Sequence, residues 1–168
     1  MRKLSDAFRS FYCAGRGIAF CLRHERHLRI HLVAAAYVMY FGTFYGFTGR
    51  DYAVLVLTCA SVISMEVINT AVEVAFDKVS PKYNIFAMIG KDIAAGAVMF
   101  SAVGAVAVGI FMFWDTDKFA EIFTYFTSDI IKPLILLLTL VLSILFVLSA
   151  KPRKTGNKRN KEINEQNE

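Results

Sequence analysis

Four long apolar stretches constrain most strongly what this chain can fold into. They cover residues 30–47, 52–76, 93–114 and 130–150. As helices that rise 1.5 Å per residue, they have the length needed to cross about 30 Å of hydrocarbon. The chain is 56% hydrophobic and its mean hydropathy is +0.47, which is more apolar than an ordinary soluble domain. The sequence therefore predicts an all-α integral membrane protein with four transmembrane helices.

The distribution of basic residues predicts the orientation of these helices. Most of the 19 lysines and arginines lie in residues 1–29, 77–92 and 151–168. Because lysine and arginine accumulate in cytoplasmic segments, we expect both termini and the 77–92 loop to be cytoplasmic. A pI of about 9.2 would also suit nucleic acid. The spans divide the basic residues and their order follows the topology, so we expect no nucleic-acid partner.

The two ends of the chain differ from the spans. Residues 1–29 place apolar side chains such as Phe8 and Phe11 at helical spacing, with basic residues elsewhere, which predicts an amphipathic helix lying in the membrane interface. Residues 151–168 are too polar to form a core and are predicted to be a disordered basic tail that touches anionic membrane lipid. The predicted organisation is an interfacial helix (1–29), a three-span core (30–114), an external loop with a fourth span (115–150) and the tail (151–168).

A stripe of polar residues interrupts the second apolar stretch. Glu66, Asn69, Thr70, Glu73 and Asp77 recur at spacings that place them on one face of a helix. A charge inside a membrane span costs at least about 2.5 kcal/mol, so such residues indicate a functional site. We expect this stripe to form a reaction site near the membrane surface.

Other charged residues lie at the inner ends of the neighbouring spans. Glu25 precedes the first span, and Lys91 and Asp92 precede the third. Carboxylates suit Mg²⁺ with substrate phosphates, a lysine suits phosphate, and a further carboxylate can deprotonate an alcohol. Such a set fits phosphoryl transfer from a metal-bound nucleotide to a lipid hydroxyl. A proton- or ion-coupled carrier would use intramembrane acids equally well.

Other site motifs are absent or weak. Residues 90–92 (Gly-Lys-Asp) lack the upstream glycine and the following serine or threonine of a nucleotide-binding P-loop. His24, His27 and His31 share one helix face, a pattern we interpret as interfacial histidines rather than metal ligands. The residues alone therefore leave the lipid-directed reaction and the carrier as the two alternatives.

The amino-acid sequences of three segments closely resemble those of one protein family. The letters EVINTAVE at residues 66–73 and KDIAAGAV at residues 91–98 resemble motifs of the prokaryotic diacylglycerol kinase family, which also contains the undecaprenol kinases. The letters ERHLRIHLVAA at residues 25–35 are similar to the segment before that family's first span. The resemblance covers residues 8–114. It implies a small lipid kinase of the bacterial cell membrane that uses ATP and Mg²⁺, forms a homotrimer and shares its sites between subunits.

The resemblance also implies a role for each site residue. Glu66 looks like the general base for the lipid alcohol, and Asn69 looks like the residue that orients it. Glu25 and Glu73 are similar to the acids that hold Mg²⁺ on the ATP phosphates. The lipid substrate is expected at Glu66, Arg29 and Ala95. The residues expected to contact the nucleotide are Glu25, Glu73, Asp77, Lys82, Tyr83, Asn84, Lys91 and Asp92.

The sequence also indicates which lipid accepts the phosphate. Residues 29–35 look more like the Gram-positive branch of the family, in which undecaprenol is the expected acceptor. Diacylglycerol is the alternative, with phosphatidic acid as the product, and a non-catalytic binding or carrier protein on the same scaffold is a remote one. The fourth span carries none of the predicted acids, so the sequence predicts that removing residues 130–168 leaves catalysis intact.

Overall fold

The computed structural model describes residues 2–79 and 84–151, with side chains from residue 7 onward. Over these residues the chain is helical and forms no strand, which confirms the all-α prediction. A short 3₁₀ turn at Thr43–Tyr45 follows the second helix. The six helices are α1 (Arg2–His24), α2 (Arg26–Gly42), α3 (Gly49–Val79), α4 (Ile85–Phe113), α5 (Thr116–Thr127) and α6 (Ile131–Leu148).

Within the described residues, three helices are long and apolar enough to cross a membrane: α3, α4 and α6. With 31 and 29 residues, α3 and α4 are about 46 and 44 Å long. They exceed the hydrocarbon thickness of about 30 Å, so part of each projects beyond it. The ends of α3 and α4 that meet at the 79–85 connection can therefore carry charges outside the hydrocarbon.

The end of the predicted first span at residues 30–47 is corrected by the structure. Helix α2 has 17 residues and ends at Gly42, which makes it about 26 Å long and shorter than the other candidates. The chain leaves α2 through the 3₁₀ turn and then through Gly46, whose φ of +64° lies in the left-handed region. Only glycine adopts that conformation at little cost, so the turn ends the helix although apolar residues continue to Phe47.

Two different faces of helix α2 pack against other helices. Helices α3 and α4 form the most extensive contact, and α2 lies against α3 and, on a different face, against α6. Ala34 and Val38 of α2 face α3 and α4, whereas Ala36, Tyr37 and Tyr40 face α5 and α6. Helix α2 therefore connects the three-helix core with the C-terminal helices.

The connection between α4 and α6 is also corrected. The sequence predicted an external loop at residues 115–129, but Thr116–Thr127 is a helix. The carboxylate of Asp115 accepts hydrogen bonds from the backbone N–H groups of Asp117 and Lys118, at 3.0 and 3.2 Å. Such a cap satisfies N–H groups that a helix leaves free at its start, so the acids interpreted as loop residues begin a helix.

Aromatic rings cluster at the same end of the bundle. The Tyr45 hydroxyl donates to the backbone oxygen of Phe113 at 3.1 Å, and the two rings are 4.9 Å apart. Phe44 contacts Tyr125 of α5 with ring centres 5.0 Å apart. Tyrosine and tryptophan are enriched where a membrane protein meets the water interface. This cluster therefore marks the interface opposite to the ends that carry the predicted site.

Candidate active site along helix α3

Glu66 lies inside the bundle and not on its lipid-facing surface. It is 7% exposed and lies on α3 thirteen residues before Val79, about 20 Å along the helix axis. Its carboxylate oxygen Oε1 is 3.3 Å from Nε2 of His31 on α2. The hydroxyl of Thr70, which is buried beside it, donates to the backbone oxygen of Glu66 at 3.0 Å. The imidazole gives the costly buried carboxylate a polar partner.

His31 is the site residue that sequence reasoning missed. The three histidines were interpreted as interfacial, but His31 faces the core. The sequence held one signal: Leu28, an apolar residue, lies three positions before His31, and residues at i and i+3 share a helix face. In the structure Leu28 is 2% exposed. A polar residue on the core face of a membrane helix is the pattern that indicates a partner.

Asn69 and Glu73 form a second pair one turn further along α3. The Asn69 amide nitrogen Nδ2 donates to Oε1 of Glu73 at 3.1 Å. The amide oxygen Oδ1 of Asn69 is buried, and no described residue donates a hydrogen bond to it. A buried acceptor of this kind is costly unless a donor or a cation meets it. The pair therefore presents hard oxygen atoms of the type that Mg²⁺ binds.

Asp77 and Lys91 connect the adjoining ends of α3 and α4. The Lys91 ammonium donates to Oδ1 of Asp77, and both side chains are about one-third exposed, 35% and 32%. The close approach of the helices here depends on Gly90, where an added Cβ would lie 2.6 Å from the ring of Phe76. Asp92, the next residue, is exposed. A phosphate that reached Lys91 would compete with Asp77 for its ammonium.

Glu25 occupies the junction between α1 and α2. It is the single non-helical residue between His24 and Arg26, with extended backbone angles, φ −102° and ψ 114°. As the N-cap residue it lies at the positive end of the α2 dipole, where a carboxylate is favoured. The side chain is half-buried. The fold therefore supplies a preformed bend that holds this acid at the start of α2.

The remaining predicted residues lie apart from these pairs. Asn84 is exposed and caps α4 by accepting the backbone N–H of Phe86 at 2.9 Å. Ala95 is exposed on α4. Arg29 is buried, and its guanidinium donates to groups of α1 and α6. The predicted residues Lys82 and Tyr83 lie outside the described residues.

Within one chain these groups form pairs and not one cluster. Glu66 and Asp77 are eleven residues apart on α3, which is about 16 Å along the axis. Within the described side chains, at residues 7–79 and 84–151, no three His, Cys, Asp or Glu lie close enough together to form a metal site. The oxygen donors Glu73 and Asn69 still fit Mg²⁺, because this ion takes one or two protein carboxylates and completes its shell with water and phosphate oxygens.

An apolar cavity reaches His31, the partner of Glu66. It has a volume of about 320 Å³ and lies between α2, α3 and α4. Its wall is mostly aliphatic, with His31 as the lining residue that contacts Glu66. A pocket lined by apolar groups with a few placed polar groups is typical of a ligand site. This one suits a hydrocarbon chain whose polar end lies beside His31. Other lining residues are Ala34, Val38, Leu55, Val62, Ala105 and Gly109.

The helices and the buried pair define an integral membrane protein with an acidic site inside its bundle and an apolar cavity beside it. The sequence model of the family described as "Prokaryotic diacylglycerol kinase" matches residues 12–113. The chain belongs to this family, as its motifs predicted. Helices α5 and α6 lie beyond the matched residues.

Two named proteins are similar to this chain. The undecaprenol kinase of Bacillus subtilis is 34% identical over 111 residues, which is 66% of this chain and 90% of that protein. The diacylglycerol kinase of Synechocystis sp. is 37% identical over 101 residues, which is 60% of this chain and 58% of that protein. No solved structure matches significantly. Both relatives are named kinases, which supports the prediction of a lipid kinase.

Proposed function

We propose that the protein transfers the γ-phosphate of ATP, bound with Mg²⁺, to the hydroxyl of undecaprenol. The observation that carries this proposal is the position of Glu66, a buried carboxylate that meets His31 at the polar end of an apolar cavity. A lipid alcohol with its chain in this cavity would place its hydroxyl beside His31, the partner of that carboxylate. An apolar lining of this kind does not favour the binding of a water-soluble substrate.

The chemistry follows from the groups on α3. Glu66 accepts the proton of the lipid hydroxyl while the oxygen of that hydroxyl forms a bond to the γ-phosphorus. The bond from that phosphorus to the bridging oxygen breaks, and ADP leaves with the electron pair. Asn69, one turn away, orients the reacting groups through its free amide oxygen. A positioned base contributes about 10²–10⁴-fold to such a reaction.

Charged groups beyond Glu66 would bind the nucleotide. Glu73 and Glu25 would hold Mg²⁺, which when bound neutralises charge on the transferring phosphates. Lys91 would exchange Asp77 for a phosphate oxygen, because its ammonium is partly exposed and already paired with an anion. The homotrimer that the family resemblance implies would let neighbouring subunits bring these separate pairs together.

The name and coverage of one relative favour undecaprenol as the acceptor. The Bacillus subtilis protein is an undecaprenol kinase and is matched over most of its length. Diacylglycerol, which would yield phosphatidic acid, is the alternative, because the Synechocystis relative is a diacylglycerol kinase. A non-catalytic binding or carrier protein on the same scaffold is a further alternative.

A direct phosphorylation assay separates these acceptors. The purified full-length protein is offered undecaprenol and diacylglycerol in parallel, with radiolabelled ATP and Mg²⁺ in mixed micelles. We expect the label on undecaprenol, at a kcat/KM well above that for diacylglycerol. Preference for diacylglycerol would favour the alternative acceptor, and no transfer to either lipid would contradict both. Omission of Mg²⁺ is expected to abolish the transfer.

The proposed function requires the site to face the cytoplasm, where ATP is found. We expect Val79→Cys to resist an impermeant maleimide in intact cells and Thr116→Cys to react with it, in a background without Cys13, Cys21 and Cys59. Val79 and Thr116 are exposed at opposite ends of the bundle. Permeabilised cells, in which both positions should react, are the control. Labelling of Val79→Cys in intact cells would show that the orientation is the opposite of the one expected.

A further inference from the structure

Helix α6, which lies beyond the family match, is joined to the core by a buried arginine. Arg29 of α2 is 8% exposed. Its Nε donates to the backbone oxygen of Leu22 at 2.6 Å. Its Nη1 donates to Oγ of Ser149 at 2.7 Å and to the backbone oxygen of Phe146, whose ring lies 4.6 Å from the guanidinium carbon. One side chain therefore links the ends of three helices.

Two of the three acceptors of Arg29 are backbone oxygens at the C-terminal ends of helices, and one of them, that of Phe146, also accepts from the Ser149 hydroxyl at 2.9 Å. Leu22 lies in the last turn of α1, and Phe146 lies in the last turn of α6. The final carbonyls of a helix lack partners within it, and the helix dipole makes that end negative. Among the described residues no carboxylate forms an ion pair with Arg29. Its buried charge is therefore balanced by two helix ends.

Lys151, three residues beyond the end of α6, makes a second connection to the same place. The backbone N–H of Lys151 donates to the backbone oxygen of Arg23 at 3.0 Å. The preceding carbonyls are satisfied nearby, because Cys21 accepts from the backbone N–H of Glu25 at 2.8 Å and Leu22 accepts from Arg29. The end of α6 thus completes the cap of α1.

The α1–α2 junction that these bonds hold carries Glu25. Because Glu25 is the only non-helical residue there, the angle between α1 and α2 decides where its carboxylate points. We infer that the C-terminal helix α6 is a brace that positions Glu25 for the metal–nucleotide site, with Arg29 as the positioning residue. The inference rests on the proposed function, since it needs the role of Glu25 in binding Mg²⁺ and ATP.

This inference changes two sequence-based predictions. Removal of residues 130–168 was expected to leave catalysis intact, but it would take away the α6 acceptors of Arg29 and the bond to Arg23. Arg29 was expected at the lipid substrate, whereas the structure aims its donors at Leu22, Phe146 and Ser149. We expect a defect in nucleotide use and not in lipid use.

The full-length variants Arg29→Met and Ser149→Ala test the brace from both of its sides. Loss of hydrogen bonds made by a charged group has an effect of about tenfold or more, so we expect Arg29→Met to raise the KM for MgATP about tenfold. Ser149→Ala, which keeps the arginine, is expected to raise it about threefold. The KM for the lipid should stay within twofold in both variants. Arg29→Lys should recover part of the loss, because it restores the charge but not the fork of donors.

A matched control removes a different bond between the same two helices. The hydroxyl of Tyr37 on α2 donates to Oγ1 of Thr139 on α6 at 3.2 Å, about two turns beyond Arg29 along α2. Tyr37→Phe deletes this bond and should leave the KM for MgATP within twofold of the parent. An equal defect in Tyr37→Phe, or a defect that follows only the loss of folded protein in thermal unfolding, would overturn the brace.

A double-mutant cycle with Glu25→Gln decides whether Arg29 acts through Glu25. Residues that act through a shared contact give effects that do not add. We expect Arg29→Met to have little further effect on the KM for MgATP once Glu25 is glutamine. If Glu25→Gln is impaired and the two effects multiply in full, the brace is wrong and the proposed function stands. If Glu25→Gln binds MgATP normally, the proposed role of Glu25 fails, and the brace fails with it.

Discussion

Glu66→Gln is expected to lower kcat by about 10²–10⁴-fold, the range for loss of a general base, while MgATP still binds. Glutamine keeps the shape of the side chain and can still bond to His31, but it cannot take up the hydroxyl proton. Steady-state turnover with undecaprenol, together with nucleotide binding by calorimetry, measures the two effects separately.

The control for this variant is the same substitution at an exposed acid. Glu121 lies on α5, where its carboxylate pairs with Lys118 at 2.7 Å, far from the predicted site. Glu121→Gln should leave kcat within twofold. A Glu66→Gln protein that retains turnover within about tenfold of the parent would show that the carboxylate is not the base.

Glu73→Gln and Glu25→Gln are expected to weaken the use of MgATP by about 10–100-fold, the range found for residues that support a metal site. Each substitution removes one negatively charged oxygen donor from a hard cation that takes few protein ligands. Mass action then predicts that excess Mg²⁺ recovers part of the lost activity. A titration of activity against free Mg²⁺, at several fixed ATP concentrations, measures the shift of the midpoint.

The two acids differ in ways that sharpen this experiment. Glu73 accepts a hydrogen bond from Asn69, so Glu73→Gln keeps a possible partner for that amide and its defect should lie in metal affinity. Glu25 depends on the α1–α2 bend, so its variant also tests the brace. An unchanged Mg²⁺ dependence in both variants would contradict a metal role, whatever happens to kcat.

Local sequence patterns were enough to predict the helices that carry the site. The length of the apolar stretches at residues 52–76 and 93–114 predicted α3 and α4. The recurrence of Glu66, Asn69, Glu73 and Asp77 at the helical period placed them along one side of α3. The motifs at residues 66–73 and 91–98 indicated the family, which the comparison confirmed. The roles of individual site residues stay predictions until the variants are measured.

The ends of elements and the partners of side chains were not predictable in this way. The apolar run continues through residue 47, but Gly46 adopts a positive φ and α2 stops at Gly42. Asp115 became a helix cap because its carboxylate accepts from the backbone N–H groups two and three residues further along the chain. Neither feature changes the hydrophobic pattern, so the pattern could not reveal it.

The sequence by itself determined that this protein is a membrane-embedded helical bundle with an acidic stripe, because burial in lipid and helical period are properties of each segment alone. Only the tertiary structure decided which groups meet: His31 with Glu66, Lys91 with Asp77, and Arg29 with the end of α6. Those contacts join residues up to 120 positions apart. They depend on the register and crossing of packed helices, which no single segment encodes.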